Sequence, residues 1–267
     1  MNARSPHPDA ERVRRPTRIG PVIPAMAGPF SFFEGFIMTN DTLVLATACL
    51  NQSEMPERAA RTLLVGAAIL NVRHRFGSWS FDLQSDSTTV TDNPADTMLW
   101  LGERLQCADG QLLLWRGEDI TVPSLIAAAE TARDTIAAVT LLRRLAATFT
   151  GEVIDVATAF GGSKATSFDA IAHRHGVAFV PMTRTDLAEA HRLGNHGDIR
   201  AHLEARAKAM WQLWLPGVPD DDSVRSATHA WLFESDAQAQ RLFCSSKERP
   251  ALDAVPSSPL ALEAKHD

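Results

Sequence analysis

Short apolar runs dominate the pattern of hydrophobic and polar positions between residues 42 and 83. The runs TLVLATACL, from Thr42, and LLVGAAILNV, over residues 63–72, are nearly continuous, which is typical of central strands. The run GSWSFDL, over residues 77–83, alternates instead, so that Trp79 and Phe81 share one face. Three such strands in succession predict an antiparallel meander.

Helical periodicity and shorter apolar runs alternate in the rest of the chain. The pattern predicts strands over residues 111–115 and 151–157, and helices over residues 93–108, 123–131, 135–148, 167–175, 198–215 and, as a shorter element, 227–243. Antiparallel strands followed by alternating strands and helices predict an α/β domain with a mixed sheet flanked by helices. RNase H-like folds have this order of elements.

The two ends of the chain differ from its middle in composition. Residues 1–38 are rich in proline and arginine and lack periodicity, so we predict a flexible N-terminal arm. Its arginines precede a semi-apolar stretch, as in a signal peptide, but prolines and a glutamate interrupt that stretch, and Met38 is a plausible start of the folded part. We predict one RNase H-like domain over residues 39–218 and a partly disordered C-terminal extension over residues 219–267.

The net charge and the number of cysteines argue against several classes of protein. The net charge of −6 argues against a strongly basic protein that coats nucleic acid, although it leaves room for a local basic groove. The three cysteines, Cys49, Cys107 and Cys244, match neither a disulfide framework nor the spacing of a zinc site. This pattern fits a reducing cytosol, so we expect a cytoplasmic protein. No apolar run approaches the roughly 18 residues of a membrane span, and we expect no membrane partner.

The stretch QLLLWRGEDITVPSL, over residues 111–125, links a predicted buried strand to a helix through a Gly-containing turn. In open α/β sheets, ligands bind at the edge where such turns lie. Two residues there are candidates for nucleic-acid binding. Trp115 could stack on a base or belong to the core, and Arg116 could contact a phosphate or be an exposed turn residue.

Four segments of the chain resemble the DnaQ-like 3′–5′ exonucleases, particularly the predicted exonucleases similar to the proofreading domain of B-type polymerases. The segments are LVLATACLN, LLLWRGEDITVPSL, VIDVATAF followed by SFDAIAHRHGV, and GDIRAHLEARAKAMWQLWL. They occur in the family's order over about residues 40–215. The resemblance implies an RNase H-like fold and a site where carboxylates hold two divalent metal ions that hydrolyse a phosphodiester.

The family's metal-ligand positions fall on Ala46, Ala48, Thr121 and Arg206 in this chain, and His202 stands where the family has a tyrosine. Hard cations such as Mg²⁺ need oxygen ligands, and none of the four residues carries a carboxylate. We therefore expect a pseudoenzyme: an exonuclease-like domain that binds single-stranded nucleic acid but has impaired catalysis and no metal site. The sequence does not indicate a protein partner.

Two alternative functions stay open on the sequence alone. Relocated acids, chiefly Asp119 and Asp155, could form a Mg²⁺ or Mn²⁺ site in an active 3′–5′ exonuclease, or could be a solvated turn residue and a hydrogen-bonded strand-end residue. The same scaffold could instead be a protein-interaction module.

A cluster of histidines in the C-terminal half raises a further question about metal binding. His191, His196 and His202 lie within twelve residues, with Asp198 among them, but their spacing matches no HExxH-type motif. We expect the first two to be solvent-exposed loop residues.

Overall fold

The computed structural model describes residues 41–52, 61–105, 110–218 and 222–247, which form an α/β fold with a five-stranded mixed sheet. The strands are β1 (Asp41–Gln52), β2 (Arg61–Arg75), β3 (Ser78–Ser87), β4 (Gln111–Leu114) and β5 (Glu152–Asp155). Their order in the sheet is β3-β2-β1-β4-β5. The predicted arm over residues 1–38, with Met38, lies outside the described residues.

Strand directions follow the predicted change from meander to crossover connections. β1 pairs antiparallel with β2, and β2 pairs antiparallel with β3. β4 pairs parallel with β1, and β5 pairs parallel with β4. The predicted mixed sheet is therefore confirmed, and the arrangement is consistent with an RNase H-like fold.

Seven helices occur in the described residues. They are α1 (Pro94–Arg104), α2 (Val122–Glu130), α3 (Thr135–Thr148), α4 (Phe168–Arg174), α5 (Arg184–Leu193), α6 (His196–Trp214) and α7 (Asp222–Lys247). Helices α1 to α4 and α6 lie where periodicity predicts them. Helix α5 was not predicted, and α7 is longer than the helix predicted around residues 227–243.

Helix α7 packs on the sheet through its first turns. The indole nitrogen of Trp79 donates a hydrogen bond to Ser223 at 3.0 Å, and Trp231 stacks on Phe81 with ring centroids 4.8 Å apart. The first part of the segment predicted as a C-terminal extension is therefore ordered against β3. Residues 219–221 and 248–267 lie outside the described residues. Within the described part of the chain, no helix is long and apolar enough to cross a membrane.

The sheet buries both of its faces, which explains the nearly continuous apolar runs of its central strands. Val44 and Ala46 of β1 belong to the core between the sheet and helices α4 to α6. Leu43 and Leu45 belong to the core between the sheet and helices α1 to α3. Alternating side chains of one strand therefore enter two separate cores.

A glycine on β2 determines how closely α6 approaches the sheet. A Cβ atom at Gly66 would lie 2.7 Å from Leu203 Cδ1 and 2.9 Å from the carbonyl oxygen of Asp86. These separations are too short for non-bonded atoms, so only glycine allows this packing. The close approach brings the middle of α6 next to the end of β1.

Candidate functional site

A cavity of about 460 Å³ lies at the edge of the sheet where β1 and β4 end. In open α/β sheets, ligands bind outside the carboxyl ends of parallel strands, so this is the expected place for a site. Its walls come from β1, the turn after β4 and helices α4, α5 and α6. The residues at the family's four metal-ligand positions all line it: Ala46, Ala48, Thr121 and Arg206.

The alanines of β1 form the sheet side of the cavity. Ala46 is 2% exposed and Ala48 is 8% exposed. Both side chains face the core shared with α6, and both end at Cβ. Because methyl groups fill little of the space between sheet and helix, they leave room for the cavity.

Helix α6 contributes His202 and Arg206, which lie one helical turn apart on the same face. The guanidinium carbon of Arg206 lies 4.8 Å from the centre of the Phe168 ring, a cation–π contact. Burial lowers the pKa of Arg206, and the negative charge of Asp169 acts in the opposite direction. An arginine side chain stays charged in proteins, so Arg206 supplies a positive charge to the cavity.

The other polar group on this face of α6 is the imidazole of His202. Burial lowers its pKa and the charge of Arg206 lowers it further, while a hydrogen bond with the backbone of Val180 and the charge of Asp169 raise it. Since the lowering effects prevail, His202 is neutral at pH 7. Its Nδ1 atom is buried and has no hydrogen-bond partner among the described residues.

The turn after β4 places Trp115 in the core. Trp115 is 5% exposed and packs edge-to-face on Phe168, with ring centroids 5.0 Å apart. Little of its ring is open to a ligand, which supports the interpretation of Trp115 as a core residue over base stacking.

Arg116 holds the turn to the segment before α4. Its backbone is in the left-handed region, with φ 49°. Its guanidinium donates hydrogen bonds to the carbonyl oxygens of Ser163 and Ala165. The predicted exposed turn arginine is thus partly buried, and two of its hydrogen bonds are already used within the protein.

Thr121 ends a single π-helical turn, Gly117–Thr121, that leads into α2. Its hydroxyl donates a hydrogen bond to the carbonyl oxygen of Trp115 at 3.0 Å. Such turns are rare and occur frequently at functional sites. The Thr121 hydroxyl therefore stabilises the turn. It does not provide the carboxylate that a metal ligand at this position would need.

Asp155 and Asp119, the predicted relocated acids, do not meet at the cavity. The carboxylate of Asp155 accepts hydrogen bonds from the backbone N–H groups of Arg116 at 2.8 Å, Gly117 at 3.0 Å and Ala157 at 3.0 Å. Asp119 is exposed on the π-helical turn. Neither aspartate lines the cavity. Asp155 holds the turn after β4 in place, and Asp119 is a solvated turn residue.

The donor set of the cavity does not fit two divalent metal ions. Among the described residues that line it, Asp169 supplies the one carboxylate, whereas Arg116, Arg184 and Arg206 supply three guanidinium groups. Two Mg²⁺ ions require several negatively charged oxygen ligands. Across the described ranges, no cluster of three or more His, Cys, Asp or Glu side chains could hold a metal ion.

The histidines do not converge on one point either. His196 Nε2 lies 3.1 Å from the carboxylate of Asp92, while His202 lines the cavity described above. His191 is 6% exposed and lines a separate cavity of about 390 Å³, whose other walls come from β2, α1 and the segment that follows α2. The expectation that His191 and His196 are solvent-exposed loop residues was wrong. His191 lies on the unforeseen helix α5, whose inner face is buried, and His196 is a partly buried residue at the start of α6.

The sequence pattern missed two parts of the site. Phe168, which supports Arg206, comes from the start of α4, and Arg184 comes from the start of α5. A local signal for α5 exists: the side chains and backbones of Thr183 and Asp186 form a capping box, which marks the start of a helix. The contact between Phe168 and Arg206 joins distant segments and leaves no local signal.

Comparison with protein-family models and with curated proteins finds no match to this chain. The interpretation of the cavity therefore depends on its own residues and on the fold that positions them.

Proposed function

We propose that this chain is a DnaQ-like domain that binds single-stranded nucleic acid and lacks metal-dependent exonuclease activity. One observation carries the proposal. Ala46, Ala48, Thr121 and Arg206 come from three distant segments, yet all four line one cavity at the sheet edge. If the motif resemblance were accidental, residues chosen by it would have no reason to meet.

The chemistry of the cavity supports the loss of catalysis. Metal-dependent phosphodiester hydrolysis needs carboxylates that hold the ions near the scissile phosphate. Here two methyl groups, a hydroxyl already bonded to a backbone carbonyl and a guanidinium occupy those positions. The guanidinium of Arg206 would repel a metal cation and attract the phosphate itself.

The two alternatives receive less support. An active enzyme with relocated acids would need Asp119 and Asp155 near a shared ion, but Asp119 is exposed and Asp155 accepts three backbone hydrogen bonds. A protein-interaction module would not need arginines around a cavity at the sheet edge. Three arginines against one carboxylate favour an anionic ligand.

The proposal is tested by two assays on the same single-stranded DNA and RNA oligonucleotides. Fluorescence anisotropy measures binding, and denaturing electrophoresis measures shortening in Mg²⁺ or Mn²⁺. We expect binding without shortening, and no heat of Mn²⁺ binding in calorimetry. Metal-dependent shortening would establish an active exonuclease instead. Absence of binding to either polymer would leave the protein-interaction module as the better account.

A further inference from the structure

Arg206 is a partly buried cation whose charge the protein compensates only in part. Its guanidinium lies over the ring of Phe168 and interacts electrostatically with Asp169. No carboxylate forms an ion pair with it within 4.0 Å in the described ranges. Taking a charge out of water without a close partner is costly, so proteins pair such groups or use them to bind a ligand.

A second polar side chain that lines the cavity carries a nitrogen without a hydrogen-bond partner. His202 Nδ1 is buried without a hydrogen-bond partner among the described residues, and His202 lies one turn before Arg206 on α6. Buried polar atoms are nearly always hydrogen-bonded, so an exception at a cavity suggests that a ligand provides the partner. At the rim, the exposed Arg184 adds a positive charge.

We propose that Arg206 and His202 form a metal-free anion site that binds a phosphate monoester directly, and that the ligand is the phosphorylated end of a single strand. The identification of the carrier as a nucleic-acid strand rests on the proposed function. In a two-metal centre, metal ions held by carboxylates contact the phosphate. In this site the guanidinium of the protein itself contacts it.

The charge and shape of a monoester suit this cavity better than those of an internal phosphodiester. A terminal phosphate carries a charge of about −1.5 to −2 and three strong acceptor oxygens, whereas a diester carries a single charge. A guanidinium can bind two of these oxygens at once, and a monoester oxygen that keeps its proton can donate a hydrogen bond to the neutral imidazole of His202, which a diester cannot do.

The test compares oligonucleotides that differ only in their ends. Full-length protein in EDTA is titrated with a labelled single strand that ends in a 3′-phosphate, a 5′-phosphate or hydroxyl groups alone, and with inorganic phosphate as a competitor. We expect at least one phosphorylated end to bind roughly tenfold to a hundredfold more tightly than the hydroxyl-ended strand. Arg206→Met should abolish this preference, and His202→Gln should reduce it.

Two further variants control for charge and folding. Arg143→Met removes the same charge from an exposed position of α3, on the opposite face of the sheet, and should keep the preference. Arg206→Lys keeps a cation in the cavity and should keep part of the preference, which separates loss of charge from misfolding. Circular dichroism and thermal melts establish that each variant is folded.

The outcomes separate this inference from the proposed function. Equal binding of all strand ends, or a preference that survives Arg206→Met, would overturn the phosphate site and leave nucleic-acid binding intact. Binding of inorganic phosphate that depends on Arg206, without binding of any oligonucleotide, would overturn the proposed function and the carrier while supporting the anion site. If none of the tested ligands binds, both the phosphate site and the proposed function are overturned.

Discussion

Arg206 shows how one residue changes the chemistry that a site can perform. At a position where the resemblance implies a carboxylate, a guanidinium lies 4.8 Å above Phe168, with Asp169 as its electrostatic counterpart. A carboxylate there would attract cations, and the arginine attracts anions. The side chain at this one position therefore decides whether the cavity attracts an anion or a metal cation.

Restoring one carboxylate should not restore a nuclease. We predict that Arg206→Asp shows no Mg²⁺- or Mn²⁺-dependent digestion of a single strand, because Ala46, Ala48 and Thr121 still provide no metal ligand. The measurement is electrophoresis of an end-labelled oligonucleotide, with the unmodified protein as the control. Digestion by this single variant would show that the assignment of the four positions is wrong.

The buried histidines should make folding sensitive to mild acid. Burial lowers the pKa of both His191 and His202. Their unfolded pKa is about 6.5, so below that pH the unfolded chain binds more protons than the folded protein. The free energy of unfolding is therefore unaffected by these histidines above about pH 6.5. It falls as the pH drops from there towards their folded pKa values, because the unfolded chain takes up protons that the folded protein does not.

We predict that the free energy of unfolding, measured by urea titration, falls between about pH 6.5 and 5. His202→Gln should make this slope shallower, because it removes one of the two histidines whose pKa burial lowers. An identical slope in His202→Gln and the unmodified protein would contradict the effect assigned to burial.

At the scale of elements, the turn between β4 and α2 depends on a carboxylate supplied by β5. Asp155 accepts the backbone N–H groups of Arg116 and Gly117, and so connects the ends of two neighbouring parallel strands. The turn includes the left-handed Arg116, a conformation that needs support from the surrounding structure.

Replacing each of the two candidate acids by alanine tests whether its role is structural. Asp155→Ala leaves three backbone donors without their acceptor and should lower the free energy of unfolding by roughly 2–3 kcal/mol. Asp119→Ala, at an exposed position, should change it by less than about 0.5 kcal/mol. Chemical denaturation measures both. Equal, small effects would contradict the structural role of Asp155.

The packing of α6 on the sheet is a second property of elements. Gly66→Ala should destabilise the fold by roughly 1–3 kcal/mol, because its methyl group would overlap Leu203 and the carbonyl oxygen of Asp86. Gly197→Ala is the matched control. A Cβ there meets only the Asn195 side chain, at 3.6 Å, so this helical position should tolerate alanine. Thermal melts that show no loss for Gly66→Ala would mean that α6 lies farther from β2.

At the scale of the whole molecule, local patterns predicted most of the architecture. Apolar runs and helical spacing are properties of short segments, so the five strands and most helices followed from them. Helix α5 was missed because its residues are largely polar, although its capping box is a readable signal. That Ala46, Thr121 and Arg206 meet at one cavity was implied by the family resemblance.

What could not be predicted depends on contacts between distant segments. The use of Asp155 by the β4 turn, and the placement of Arg206 over Phe168, join residues that are close only in the folded chain. Burial also decides the protonation of His202, and burial follows from packing rather than from sequence spacing. Site residues were therefore easier to locate than their partners.

The most direct test of the account is the binding of a labelled single-stranded oligonucleotide to the full-length protein, measured by anisotropy first in EDTA and then in excess Mg²⁺. We predict binding in EDTA that excess Mg²⁺ weakens or leaves unchanged, and an oligonucleotide of unchanged length at the end, because an arginine rather than a metal ion meets the phosphate and added cations compete for it. Binding that requires Mg²⁺, or a strand shortened in its presence, would contradict the account.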